Sequence, residues 1–108
     1  MASARKSEEK PVKVLDESAV IRCVAGDGLI REEVWKDAKG KIVRFNLAFI
    51  NFQLFAGDNG RVLGYDTAHG APHRHFAGAV EPIEGVSYGS ISRRFFREVE
   101  ELKKRERL

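Results

Sequence analysis

Cysteine is nearly missing from this 108-residue chain: Cys23 stands alone, so an internal disulfide, a CxxC motif and a zinc finger are all excluded. A reducing, cytoplasmic setting is the expectation. Long apolar runs are missing too. The opening MASARKSEEK is polar and lacks the apolar stretch of a secretory leader, and no run reaches the length of a membrane span. Internal repeats and low-complexity segments do not occur. Neither sign of charge dominates: 19 Lys and Arg oppose 16 Asp and Glu, a net +3, and the charges are mixed along the chain. That balance permits a polyanionic partner without demanding one. What is present is 43% apolar residues and 32% charged ones, enough for one core under a heavily ionic surface and too little chain for two domains.

The pattern along the chain predicts an α+β fold: an antiparallel sheet of four to five strands, one of them bulged, with a C-terminal α-helix packed on one face. Residues 1–15, charged and containing Pro11, read as a loose arm, leaving 16–108 as the domain. SAVIRCVA, the turn GDG at 26–28 and LIREEVWK form a hairpin. After the breaker DAKGK, the run from Ile42 to Ala56 alternates as a strand until its apolar parity flips at Phe49–Ile50, which calls for a bulge or sharp bend. GDNG at 57–60 turns the chain into the strand RVLGYD. Pro82 argues against a central strand over VEPIEG. Ser87 or Ser90 caps a helix over about 90–105, where Ile91, Phe95, Val99 and Leu102 make one apolar stripe. Cys23 reads as a buried strand residue, and Trp35 and the phenylalanines as core.

All the histidines fall within seven positions of GYDTAHGAPHRHFAG: His69, His73 and His75. Pro72 restricts Ala71 and pre-organises the entry to His73. If HRH is extended, His73 and His75 share a side with Cα atoms roughly 6 to 7 Å apart, and Arg74 points away unless the segment twists. Imidazole titrates near neutral pH and also binds metals, so two chemistries are open. In the first, two of the histidines act as base and acid on an RNA phosphodiester, Arg74 stabilises the phosphoryl charge, Tyr65 bonds or stacks a base, and Asp66 orients an imidazole. In the second, His73, His75 and either His69 or Asp66 hold a divalent transition metal. The plain alternative is ordinary polar loop residues, but such clusters tend to mark sites. Arg93, Arg94 and Arg97 in SRRFFR are candidate phosphate contacts, or else a solvated face paired with Glu98, Glu100 and Glu101.

The order of these features resembles the TumE family, small toxins of prokaryotic toxin–antitoxin systems, over roughly residues 18–102. The resemblance rests on GYD, HG and HRH with their spacing, and on the F-x-x-V pattern at Phe96 and Val99. Matched residue by residue, the signature falls on Gly64, Tyr65, Asp66, His69, Gly70, His73 and His75, with Thr67 where an amide-bearing residue is more usual. It implies a growth-inhibiting protein that acts on RNA or translation and is neutralised by a co-expressed antitoxin, usually one that binds DNA. The expected function is therefore a metal-independent endoribonuclease without cofactor. The alternatives are a metal-binding protein and an inactive partner of a DNA-binding antitoxin. A small sheet of this kind also commonly forms a homodimer.

Overall fold

The fold is α+β, an open six-stranded antiparallel sheet with one helix against it, and the computed structural model describes residues 10–108. The strands are β1 (Val12–Ile21), β2 (Gly28–Lys36), β3 (Ile42–Ile50), β4 (Arg61–Asp66), β5 (His73–Phe76) and β6 (Ala79–Pro82), and they lie side by side in chain order. The helix is α1 (Tyr88–Leu102). The strand count exceeds the sequence expectation because HRHF and AVEP form a short edge hairpin, with Pro82 at the end of the edge strand β6, where a missing N–H costs no ladder bond. The first strand likewise begins at Val12, inside the segment expected to be a loose arm, because Val12, Lys13 and Leu15 pair with β2. Residues 1–9 of that arm lie outside the described residues.

Alternation along β3 and β4 decides which face is buried. Phe45, Leu47 and Phe49 of β3 and Leu63 and Tyr65 of β4 meet Ile91, Phe95, Val99 and Leu102 of α1, all of them buried. The helical stripe is therefore the predicted one. Ser87 caps the helix by accepting a hydrogen bond from the Ser90 backbone N–H, satisfying one of the free donors of the first turn. The parity flip also has its physical counterpart. The β3–β4 register shifts at Phe49/Ile50, opposite Leu63 and Arg61, so Val62 is the extra residue of a bulge. β3 then stops at Ile50 rather than running on to Ala56. Buried Asn51 breaks it: its side chain accepts from the backbone N–H of Gln53 and Leu54 and donates to the Gly26 carbonyl.

Cys23 lies in the loop between β1 and β2, half-buried against the core edge. Trp35 also departs from expectation, standing outside the core cluster. Its strand partners are Lys13 on β1 and Arg44 on β3, on the sheet face that α1 does not cover. Among the described residues no helix is long and apolar enough to cross a membrane.

Candidate functional site

The short β5 divides the histidine segment between two faces, as strand periodicity requires. Arg74 stands opposite Tyr65 on the helix side, whereas His73 stands opposite Asp66 and His75 opposite Gly64 on the open side. Two separate polar clusters result, back to back through the sheet.

On the open face His75, Asp66 and Arg61 are in contact. Arg61 Nη2 lies 3.0 Å from His75 Nδ1, and Arg61 Nη1 donates to Asp66 Oδ2 at 3.1 Å. A guanidinium only donates, so His75 Nδ1 accepts and the neutral ring carries its proton on Nε2. That nitrogen lies 3.1 Å from Asp66 Oδ2 yet is out of line for a hydrogen bond, and it is buried without a partner among the described residues. Asp66 uses its other oxygen to accept from the Ala68 backbone N–H at 3.2 Å, holding the start of the histidine loop. Arg61 Nε donates to Asp58 Oδ2 at 2.9 Å. The arginine thus lies across β4 between the GDNG turn and β5.

Gly64 makes this crossing possible. A Cβ there would meet Arg61 Cδ at 2.7 Å and the Leu47 carbonyl oxygen at 3.2 Å, too close for either to stay in place. The glycine of GYD is therefore the floor over which Arg61 reaches His75.

His73 is arranged differently. Its Nδ1 lies 2.9 Å from the Ala71 carbonyl oxygen, which only accepts, so Nδ1 carries the proton and the lone pair of the neutral ring is on Nε2. Pro72 fixes the bend that brings the Ala71 carbonyl back to the ring. Thr67 closes the neighbouring end of the ladder, its hydroxyl accepting from the Phe45 N–H at 3.0 Å. His69 falls in the short 3-10 turn Ala68–Gly70, and its side chain lies outside the described residues.

On the helix face Tyr65, Arg74 and Glu98 form the second cluster. The Tyr65 hydroxyl and Arg74 Nη2 both donate to Glu98 in close hydrogen bonds. Arg74 Nε donates to the Tyr65 oxygen at 3.1 Å, and Arg74 also pairs with Glu81 at 3.3 Å. Burial, reinforced by Glu98, pushes the Tyr65 phenol up to about 12. Burial works against the Arg74 charge, but the bond to Glu98 outweighs it and holds the guanidinium more firmly protonated than usual.

The structure thus brings Asp66 and His75 into contact, sets His73 on the same face opposite Asp66, and does not bring Arg74 or Tyr65 to them. Arg74 is not the cation beside the histidines, because parity turns it to the helix. Arg61 occupies that place. The signal for Arg61 was faint: one arginine after a turn, five residues before the aspartate it pairs with once Val62 bulges. Arg93, Arg94 and Arg97 ride on α1, away from the histidine face. Arg94 sits over the Tyr65 ring at 5.7 Å and 3.7 Å from Glu98, Arg93 donates to Ser90, and Arg97 lines a hollow with Arg74 and Phe76. Among the described residues no group of three or more His, Cys, Asp or Glu side chains is gathered so as to hold a metal ion.

The fold and site together define an open antiparallel α+β domain carrying a histidine–aspartate–arginine cluster on its uncovered face. Compared with protein-family models, curated protein sequences and solved structures, the chain matches none.

Proposed function

We propose that this protein is a TumE-like toxin of a type II toxin–antitoxin system, and that it acts as a metal-independent endoribonuclease through His73, His75 and Arg61. The observation that carries the reading is the division of labour between the two β5 histidines. His73 has its Nδ1 proton tied to the Ala71 carbonyl, leaving Nε2 as a base for a ribose 2′-hydroxyl. The 2′-oxygen attacks phosphorus, the bond to the 5′-oxygen breaks, and the products are a 2′,3′-cyclic phosphate and a 5′-hydroxyl. Arg61 is the cation for the phosphoryl oxygens. Turning towards the phosphate, it releases His75 Nδ1, and His75 can then be protonated and supply the proton that the 5′-oxygen takes. Asp66, with Oδ2 3.1 Å from His75 Nε2, is placed to orient the ring. His69 belongs to the same loop and is the alternative acid.

A metal centre on the same histidines has less support, because Arg61 already occupies His75 Nδ1 and an Asp66 oxygen, the donors an ion would need. The proposed partners are an RNA substrate and an antitoxin that binds DNA. The outer strand β1, with Val12, Val14 and Val20 exposed and one edge unpaired among the described residues, suits an antitoxin segment or a second copy of the chain. Cytoplasmic action follows from an RNA target. The test is growth arrest on expression. His73→Ala and His75→Ala should each abolish toxicity while leaving the thermal transition in place, and unchanged toxicity in both would overturn the proposal.

A further inference from the structure

The open face continues from the histidines across β3 to β2, and there it carries a hollow of about 310 Å³ lined by Glu33, Trp35, Arg44, Asn46, Asp66 and Thr67. Asp66 is shared with the histidine cluster. Trp35 is the only tryptophan of the chain, and the sheet register sets it between two cations. Lys13 Nζ lies 5.0 Å and the Arg44 guanidinium 4.5 Å from the indole centre.

The two cations are not equivalent. Lys13 is committed to Asp16 at 2.8 Å and Glu33 at 2.6 Å. Arg44 is exposed, and among the described residues its contact is the indole rather than a carboxylate. Both carboxylates on the wall are matched. Glu33 has Lys13 and Arg31, and hydrogen bonds from Lys13 and Asn46 hold it below the usual carboxylate range. Asp66 has Arg61. The unmatched charge of the hollow is therefore that of Arg44, and it lies on an aromatic ring. Indole and guanidinium planes are what single-stranded RNA bases stack on, with the cation adding an attraction for the backbone.

We infer that the Trp35–Arg44 hollow is a nucleotide subsite, in which a base of the RNA strand stacks on the Arg44–indole pair while its neighbouring phosphodiester reaches the histidines. The inference rests on the ribonuclease reading above and gives the histidine face its strand-binding track. Arg44 and His73 are two residues apart along the strands and two strands apart across the sheet, roughly 12 Å between Cα atoms, a span that a dinucleotide bridges. Free nucleotides share the chemistry, so the strand and the monomer must be compared.

Trp35 reports directly on its own site, because no other indole contributes to the emission. A 2′-O-methylated RNA hexamer, which lacks the attacking hydroxyl and stays intact, is titrated into the full chain. Trp35 emission is followed alongside the anisotropy of the labelled hexamer, and a nucleoside 5′-monophosphate and inorganic polyphosphate are titrated in parallel. The expected result is saturable quenching by the hexamer, much weaker quenching by the monophosphate, and binding about tenfold weaker in Arg44→Ala. Trp35→Leu, read by anisotropy alone, should lose a similar factor. Monophosphate quenching as tight as the hexamer's would make the hollow a nucleotide site rather than a strand track and overturn the inference. So would hexamer binding with unchanged Trp35 emission, Arg44→Ala binding within twofold of wild type, or polyphosphate matching the hexamer. Cleavage of unmodified RNA is measured on the same preparation. Cleavage without Trp35 involvement leaves the histidine reading standing and removes only this subsite, whereas absence of both binding and cleavage overturns the two together.

Discussion

Removing the Glu98 carboxylate should unlock the helix from the sheet. Tyr65 is 1% exposed, and Glu98 is the acceptor of its hydroxyl proton, since Arg74 Nε approaches that oxygen as a donor. In Glu98→Ala the buried hydroxyl loses its acceptor, at a cost of about 1–3 kcal/mol. Arg74 keeps the pair it already makes with Glu81, an acid 55% exposed, so no new contact offsets the loss of its bond to Glu98, which adds about 1 kcal/mol. The lost pair to Glu98 is only partly buried, at 18% and 23% side-chain exposure, so its own share is modest. A total of about 2–4 kcal/mol follows. For 108 residues, with an unfolding entropy of about 2.1 cal/mol/K per residue, that lowers Tm by about 9–18 °C. Calorimetry of Glu98→Ala, Arg74→Ala and the double variant measures both the drop and the coupling, which should reach about 1 kcal/mol or more. The folded variants should still cleave RNA below their transitions. A Tm change under about 3 °C, or activity lost in Arg74→Ala at unchanged Tm, would refute the assignment of this cluster to holding the helix.

Other predictions concern the turn, the phenol and the floor of the site. Ala77 and Gly78 join β5 to β6 with positive φ at both positions, +47° at the alanine. Ala77→Asn should therefore stabilise by about 0.5–1 kcal/mol in urea unfolding, and a loss of stability would contradict the turn geometry. The folded-state pKa of Tyr65 is raised to about 12 from 10.0. Its stabilising contribution is thus complete below pH 10 and is lost as pH rises from 10 through 12. Stability of Tyr65→Phe should fall less steeply than wild type across that window, and parallel curves would exclude the role. In Gly64→Ala the added methyl displaces Arg61, so RNA cleavage should drop together with that of Arg61→Ala. Full activity in either variant would remove Arg61 from the chemistry.

Much of the architecture was legible because it follows from short-range rules. The Ile91–Leu102 stripe, the Ser87 cap and the GDNG turn each depend on neighbouring residues alone, and the Phe49–Ile50 irregularity showed in the parity of its own strand although the extra residue, Val62, lies across the ladder. Parity also separated His73 and His75 from Arg74, and the arginine's assignment to the histidine face went against it. What escaped depends on long-range register. Arg61 meets His75 only because Val62 bulges and Gly64 leaves space. Trp35 looked like core because an indole is large and apolar, but its position opposite Lys13 and Arg44 puts it on the open face. Tyr65 belongs to the signature yet bonds to Glu98, a residue 33 positions away, which no local pattern discloses.

The most direct test of the histidine chemistry is incubation of metal-stripped protein with mixed-sequence RNA, with and without chelator, followed by analysis of the product ends. The account predicts cleavage that survives chelation, leaves 2′,3′-cyclic phosphates and disappears in His73→Ala. Cleavage abolished by chelator and restored by a divalent metal would contradict it and assign the same histidines to an ion.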